Sequence, residues 1–178
     1  GRDPEDLCYD WMLEEGGRAI LNRPLLNYAD GNLDAIREMV THPHTLMGLG
    51  DGGAHVGYIC DASYTTHMMT HWARDRARGA HLPVEFVVKR LAADNANALG
   101  LKDRGTLSVD MKSDLNVIDF KALTVERPNM RYDLPAGGKR LVQGAKGYAA
   151  TICSGQVTQR YGVMTEALPG RLIRGAKA

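Results

Sequence analysis

Cysteine, aromatic residues and a charge excess of either sign are all scarce in this 178-residue sequence. Its three cysteines, Cys8, Cys60 and Cys153, lie far apart and are odd in number, which argues against a disulfide framework and against a cysteine-rich zinc site. Such cysteine usage is typical of a reducing compartment, so we expect a cytoplasmic protein. Lys and Arg total 22 against 21 Asp and Glu, and nothing in this balance indicates a nucleic-acid or membrane partner.

Long apolar runs are also missing. No run approaches the roughly 20 residues that a membrane span needs, and the first residues show no signal-peptide pattern. Hydrophobic residues make up 44% and charged residues 24%, which predicts a globular protein with a core of useful size. Because the chain starts with Gly1, directly before a helical pattern, we expect a fragment or a processed chain.

Helical patterns dominate the first hundred residues. Asp3 and Pro4 begin a helix, and further helices are predicted for about residues 32–41, 63–78 and from Pro83 onward. Residues 45–53 form a short apolar run that ends in a carboxylate and glycines, which is typical of a buried parallel strand. This order predicts an α/β layer structure.

Strand patterns follow from Gly105 onward. We predict strands at residues 106–109 and 115–119, and a hairpin whose two strands, 148–153 and 156–158, flank Ser154 and Gly155. A domain boundary is therefore predicted near residue 104, between a unit of residues 1–104 and a small β domain of residues 105–178.

Asp51 is the main candidate for catalysis, because it stands at the end of the predicted strand. Active sites of α/β barrels form at this end of the strands, and Gly52 and Gly53 leave room for a ligand or a metal. Such a carboxylate can take a proton from metal-bound water and pass it to a leaving group. A strand-end Asp that only caps the following loop fits the same pattern.

Histidines and a tyrosine supply further candidates. His55 and Tyr58 follow Asp51 in the same loop and are candidate substrate-binding residues, with ordinary surface positions as the alternative. His67 and His71 share a helical face and could clamp a metal, although packing histidines show the same spacing. The His42-Pro43-His44 sequence resembles a metal motif, but its position after a helix favours solvated histidines.

Three stretches resemble the amidohydrolase superfamily, and most of all its N-acyl-D-amino-acid deacylases and D-aminoacylases. Residues 46–52, LMGLGDG, resemble the last barrel strand, which ends in Ser-Asp-Gly or Thr-Asp-Gly in that family. Residues 84–119, VEFVVKRLAADNANALGLKDRGTLSVDMKSDLNVID, are similar to the final helix and its return into a small β domain. The tail from Arg131, RYDLPAGGKRLVQGAKGYAATICSGQVTQRYGVMTEALPGRLIRG, is similar to the tail of the deacylase branch.

The resemblance implies the C-terminal part of a distorted (β/α)8 barrel with a small β-sandwich, acting on the amide of N-acyl amino acids. It implies zinc as cofactor, with Asp51 as general base and possible metal ligand, and with the other ligands on strands that precede this chain. In D-aminoacylases an arginine soon after the equivalent Asp holds the substrate carboxylate, whereas here Arg74 is the first cation after Asp51. Gly50 also replaces the usual Ser or Thr.

Two alternatives stay open. The chain could be a catalytically inert β-rich association module, since one Asp and a few loop histidines do not complete a zinc site. It could also act on a cyclic amide, as dihydroorotases and hydantoinases do, although the deacylase-like tail disfavours this. Exposed strand edges favour a homo-oligomer in either case.

Overall fold

The computed structural model describes residues 1–24, 26–48, 50, 55–59 and 61–174. The chain divides into two compact units, Gly1–Thr45 and Leu46–Ala178. The predicted division near residue 104 stays a prediction.

The described residues of the first unit form two helices. Helix α1 spans Pro4–Gly17, and the Asp3 carboxylate caps it by accepting a hydrogen bond from the Glu5 backbone N–H at 2.8 Å. Helix α2 spans Asp34–Thr41 and presents one buried residue, Val40. Both helices confirm the elements expected from the sequence.

The second unit begins with helices. A 3-10 turn, Asp61–Ser63, leads into α3, Tyr64–His67, which continues as a π-helix, Met68–Asp75. Helices α4, Val84–Leu91, and α5, Ala93–Ala98, follow. The predicted helix over residues 63–78 is therefore present, but its apolar spacing did not reveal that half of it is a π-helix.

After these helices, the described residues of the second unit form eight strands. They are β1 Leu115–Ile118, β2 Thr124–Val125, β3 Asn129–Leu134, β4 Gly138–Val142, β5 Ala145–Lys146, β6 Tyr148–Cys153, β7 Gln156–Arg160 and β8 Val163–Met164. One sheet has the order β1-β6-β7-β8, while β2-β5 and β3-β4 form two-stranded sheets. All of these pairs are antiparallel.

The β6-β7 hairpin confirms the turn predicted from the sequence. Ser154 and Gly155 both adopt positive φ, 50° and 76°, as a two-residue turn of the primed type requires. The strand predicted at residues 106–109 is wrong, because these residues form bends and turns. Leu107 and Val109 are 85% and 88% exposed there, so the apolar pair has no core to pack on.

The fold is thus mixed α/β, in agreement with the coarse prediction. Of residues 45–53, the structure describes 45–48 and 50, and it assigns no strand to them. A parallel strand needs neighbours that accept and donate its hydrogen bonds, and among the described strands every pairing is antiparallel. The barrel and the β-sandwich stay predictions. No helix in the described ranges is long and apolar enough to cross a membrane.

The core of the second unit lies where helices meet the β segment. Trp72 of the π-helix, Val87 of α4 and Leu123, just before β2, are at most 2% exposed. Beside them, Arg74 donates hydrogen bonds to the carbonyl oxygens of Phe120 at 2.5 Å and Leu123 at 2.8 Å. Arg74 therefore fastens the π-helix to the chain between β1 and β2.

We predict that Arg74→Ala destabilises the protein by about 1–3 kcal/mol, because two partly buried carbonyl oxygens lose a charged donor. Chemical denaturation monitored by circular dichroism measures the change. Arg127→Ala is the matched control, since Arg127 is exposed, and it should change the free energy of unfolding by less than about 0.5 kcal/mol. Equal effects of both variants would show that the clamp contributes nothing.

Candidate active site

Asp51, the predicted catalytic residue and possible metal ligand, lies outside the described residues. Its role stays a prediction. The structure does describe the residues on either side, namely residues 46–48 and 50 before it and the loop of residues 55–59 after it, here named the 55–59 loop.

The segment before Asp51 is held by helix α5. The Asn95 side chain donates a hydrogen bond from Nδ2 to the carbonyl oxygen of Met47 at 2.6 Å. Met47 is only 8% exposed, so this carbonyl is shielded from water and depends on a protein donor. The contact of Asn95 with Met47 fixes the segment that leads to Asp51.

Gly50 is packed so closely that a side chain does not fit. A Cβ atom there would lie 2.9 Å from the Ala62 Cα, 2.9 Å from the Tyr64 Cδ1 and 3.0 Å from the Asp61 carbonyl oxygen. Two of these atoms are backbone and cannot rotate away. This close approach explains the departure from the usual Ser or Thr, because a side chain at position 50 would push the 3-10 turn off the segment.

His55 and Tyr58, the predicted substrate-binding residues, lie side by side in the 55–59 loop. Their rings stack with centroids 5.2 Å apart and an interplanar angle of 24°. The backbone N–H of Tyr58 donates to the His55 carbonyl oxygen at 2.9 Å, which closes a tight turn. Tyr58 is 68% exposed, so the pair presents an aromatic surface to solvent. Binding of substrate by these two residues stays a prediction.

His67 and His71 are also brought together. Their rings stack at 5.0 Å with an interplanar angle of 6°. Although part of the His67 ring is exposed, burial and then the charge of His71 lower the pKa of His67. Burial and then the charge of Arg76 lower the pKa of His71, against a smaller upward effect of Asp75. His71 Nε2 is buried without a hydrogen-bond partner, so a neutral pair is favoured.

Among the described residues, no group of three or more His, Cys, Asp or Glu side chains is placed to hold a metal ion. His67 and His71 have no third ligand there. His42 and His44 form an edge-to-face ring pair at 5.3 Å, and His42 Nδ1 accepts a hydrogen bond from the His44 backbone N–H at 3.2 Å. This pair therefore stabilises the chain after α2 locally.

Arg74, the first cation after Asp51 in the sequence, binds backbone carbonyl oxygens and a neighbouring carboxylate. Besides the carbonyl oxygens it contacts, it forms an ion pair with Asp75 at 2.6 Å. The hydrogen bond to Asp75 raises the pKa of Arg74. We therefore assign it a structural role in place of carboxylate binding.

Sequence reasoning missed one contact of the 55–59 loop. The Leu141 backbone N–H, on β4, donates to the Val56 carbonyl oxygen at 2.6 Å. Next to it, Ser63 Oγ donates to Gln143 Oε1 at 2.5 Å. No local pattern could have revealed these pairs, because about 80 residues separate each donor from its acceptor.

Comparison with known proteins gives one match. A sequence model of the amidohydrolase family matches residues 10–159, well over half of the chain. No curated protein and no solved structure matches significantly.

We predict that Gly50→Ser destabilises the protein by about 1–3 kcal/mol, the usual cost of overpacking. Gly48→Ser is the matched control, because a Cβ at position 48 would meet nothing within 4 Å. Thermal and urea denaturation of both variants measure the difference. If Gly50→Ser is as stable as Gly48→Ser, the close approach is not a constraint.

We predict that stability falls as the pH drops from about 7.5 to 5.5. Burial lowers the folded-state pKa values of His67 and His71 below the ordinary histidine value of about 6.5, so the unfolded chain binds more protons in this window and acid favours unfolding. Denaturation at several pH values measures the slope. His71→Gln should reduce this slope, and an unchanged slope in that variant would contradict the prediction.

Proposed function

The chain belongs to the amidohydrolase family, and from that premise we propose that it is a hydrolase that cleaves the amide bond of N-acyl amino acids. The family match is the observation that carries this proposal, and the deacylase-like tail from Arg131 onward supports the choice of substrate. We propose the cytoplasm as its location.

In the proposed reaction, water attacks the amide carbonyl and Asp51 transfers the proton. The carboxylate accepts a proton from the attacking water and delivers it to the nitrogen that leaves, so the products are a carboxylic acid and a free amino acid. Asn95 and Gly50 serve as positioning residues for this step, since they fix the segment that ends at Asp51. His55 and Tyr58 would line the path of the substrate on the other side.

We propose zinc, the family's cofactor, as the cofactor of this protein. When bound, it supplies an activated water. The described residues do not form a metal site by themselves, so we propose that Asp51 is joined by ligands from strands that precede these 178 residues. The roles proposed for Asp51, Asn95 and Gly50 do not depend on the geometry of the metal.

We predict that Asp51→Asn lowers kcat by at least about a hundredfold, the usual contribution of a general base, with a circular dichroism spectrum like that of the wild type. The substrates are N-acetyl-D- and N-acetyl-L-amino acids, with a hydantoin as the cyclic-amide alternative. The protein is assayed as these 178 residues and together with any reading frame that precedes Gly1. Asp110→Asn, in an exposed turn, is the matched control.

Rates of Asp51→Asn close to those of the wild type would remove Asp51 from the mechanism. Hydrolysis of the hydantoin alone would keep the enzyme class and overturn the substrate.

A second candidate function is a non-catalytic association module. One observation favours it: the outer strand β8 exposes Val163 by 70% and Met164 by 61%, and an apolar edge strand is a ready surface for pairing with another chain. Metal analysis of the protein together with any reading frame that precedes Gly1 separates the two candidates, because stoichiometric zinc favours the hydrolase and a zinc-free, self-associating protein favours the module.

A further inference from the structure

Both ends of the Gln143 side-chain amide are hydrogen-bonded, and they join parts of the protein that are far apart in the sequence. The Oε1 atom accepts a hydrogen bond from Ser63 Oγ at 2.5 Å, and the Nε2 atom donates to the Glu126 carbonyl oxygen at 2.9 Å. Because a carbonyl oxygen can only accept, the amide nitrogen must face Glu126. Gln143 is therefore held in one orientation, with its acceptor turned to Ser63.

The backbone on either side of Gln143 is anchored as well. The Leu141 N–H donates to the Val56 carbonyl oxygen at 2.6 Å, and the Glu126 N–H donates to the Gly144 carbonyl oxygen at 2.9 Å. Backbone hydrogen bonds thus restrain the chain before and after Gln143. Its side chain is a fixed support rather than a mobile surface group.

Ser63 passes this restraint to the segment before Asp51. It is the last residue of the 3-10 turn Asp61–Ser63. That turn packs directly on Gly50, where an added Cβ atom would lie 2.9 Å from the Ala62 Cα. A shift of the turn therefore displaces Gly50 or opens a gap beside it, and Asp51 is the next residue in the chain.

We propose that Gln143 is a positioning residue for the segment that leads to Asp51, and that it acts through Ser63 and the 3-10 turn. This inference rests on the proposed function for the role of Asp51 in proton transfer. A general base works only within hydrogen-bond reach of its proton, and a misplacement of about 1 Å can cost about a hundredfold in rate. Asn95 restrains the same segment from helix α5, so the β segment and a helix act on it together.

Steady-state kinetics of Gln143→Leu test the inference, because leucine removes both hydrogen bonds of the amide. The protein is assayed together with any reading frame that precedes Gly1, on the N-acyl amino acid that it hydrolyses fastest. We expect kcat to fall about ten- to a hundredfold and KM to change less than about twofold, since no substrate-binding group is altered. Gln159→Leu is the matched control and should leave kcat unchanged, because the Gln159 side chain donates to Met164 Sδ at 3.0 Å and so joins β7 to β8.

Ser63→Ala removes the same hydrogen bond from the other side. We expect it to lower kcat in the same way, and the double variant to lose no more than the weaker single variant, because two residues that act through one contact are not additive. A merely structural role would lower the melting temperature and leave the kcat of the folded protein unchanged. Melting temperatures check that every variant is folded in the assay.

The backbone amide resonance of Gly50 in a ¹H–¹⁵N spectrum gives a readout that needs no turnover. We expect Gln143→Leu and Ser63→Ala to shift it and Gln159→Leu to leave it in place. An unmoved Gly50 resonance, an unchanged kcat in Gln143→Leu, or additive losses in the double variant would overturn the inference.

These measurements also separate the inference from the proposed function. If the wild type hydrolyses no N-acyl amino acid but the Gly50 resonance shifts as expected, the hydrolase function fails and the positioning of the segment by Gln143 stands. If the wild type is active and Gln143→Leu matches it in kcat, the inference fails and the hydrolase function stands.

Discussion

The hydrogen bonds of Arg74 to the backbone between β1 and β2 hold the second unit together. The π-helix carries both Arg74 and Trp72, so the residue that clamps the β segment and the residue at the centre of the core share one element. Leu123, whose carbonyl oxygen Arg74 binds, is itself fully buried. A charged donor at the edge of an apolar core thus satisfies two partly buried carbonyl groups.

The hydrogen bonds of Arg74 act together with other contacts near the 55–59 loop. Three further contacts link residues 56–66 to the β segment: Tyr148 Oη with Thr66 Oγ1 at 2.8 Å, Ser63 with Gln143, and Leu141 with Val56. Each is a single hydrogen bond worth only about 1 kcal/mol. Together with Arg74 they fix where the β3-β4 hairpin meets the 55–59 loop, and so the small β segment contributes directly to the surface around the candidate site.

The sequence predicted what local chemistry determines. The cap at Asp3, the helix starts and the Ser154–Gly155 turn follow from interactions within a few residues, and the structure confirms them. The strand predicted at residues 106–109 is wrong, because its alternating apolar residues have no surface to pack on. The sequence could not predict the hydrogen bonds of Arg74 or the contact of the β3-β4 hairpin with Val56, because both join residues that are far apart in the chain.

Gly50 shows how a departure from a family pattern acquires a physical meaning. Taken as a sequence difference, the loss of Ser or Thr before Asp51 weakens the resemblance. In the structure, the missing side chain is what allows the Asp61–Ser63 turn to approach the segment, because a Cβ atom would lie 2.9 Å from the Ala62 Cα. Gly50 therefore lacks the hydroxyl of Ser or Thr and packs more closely, and the Asn95 side chain holds the same segment at the Met47 carbonyl oxygen.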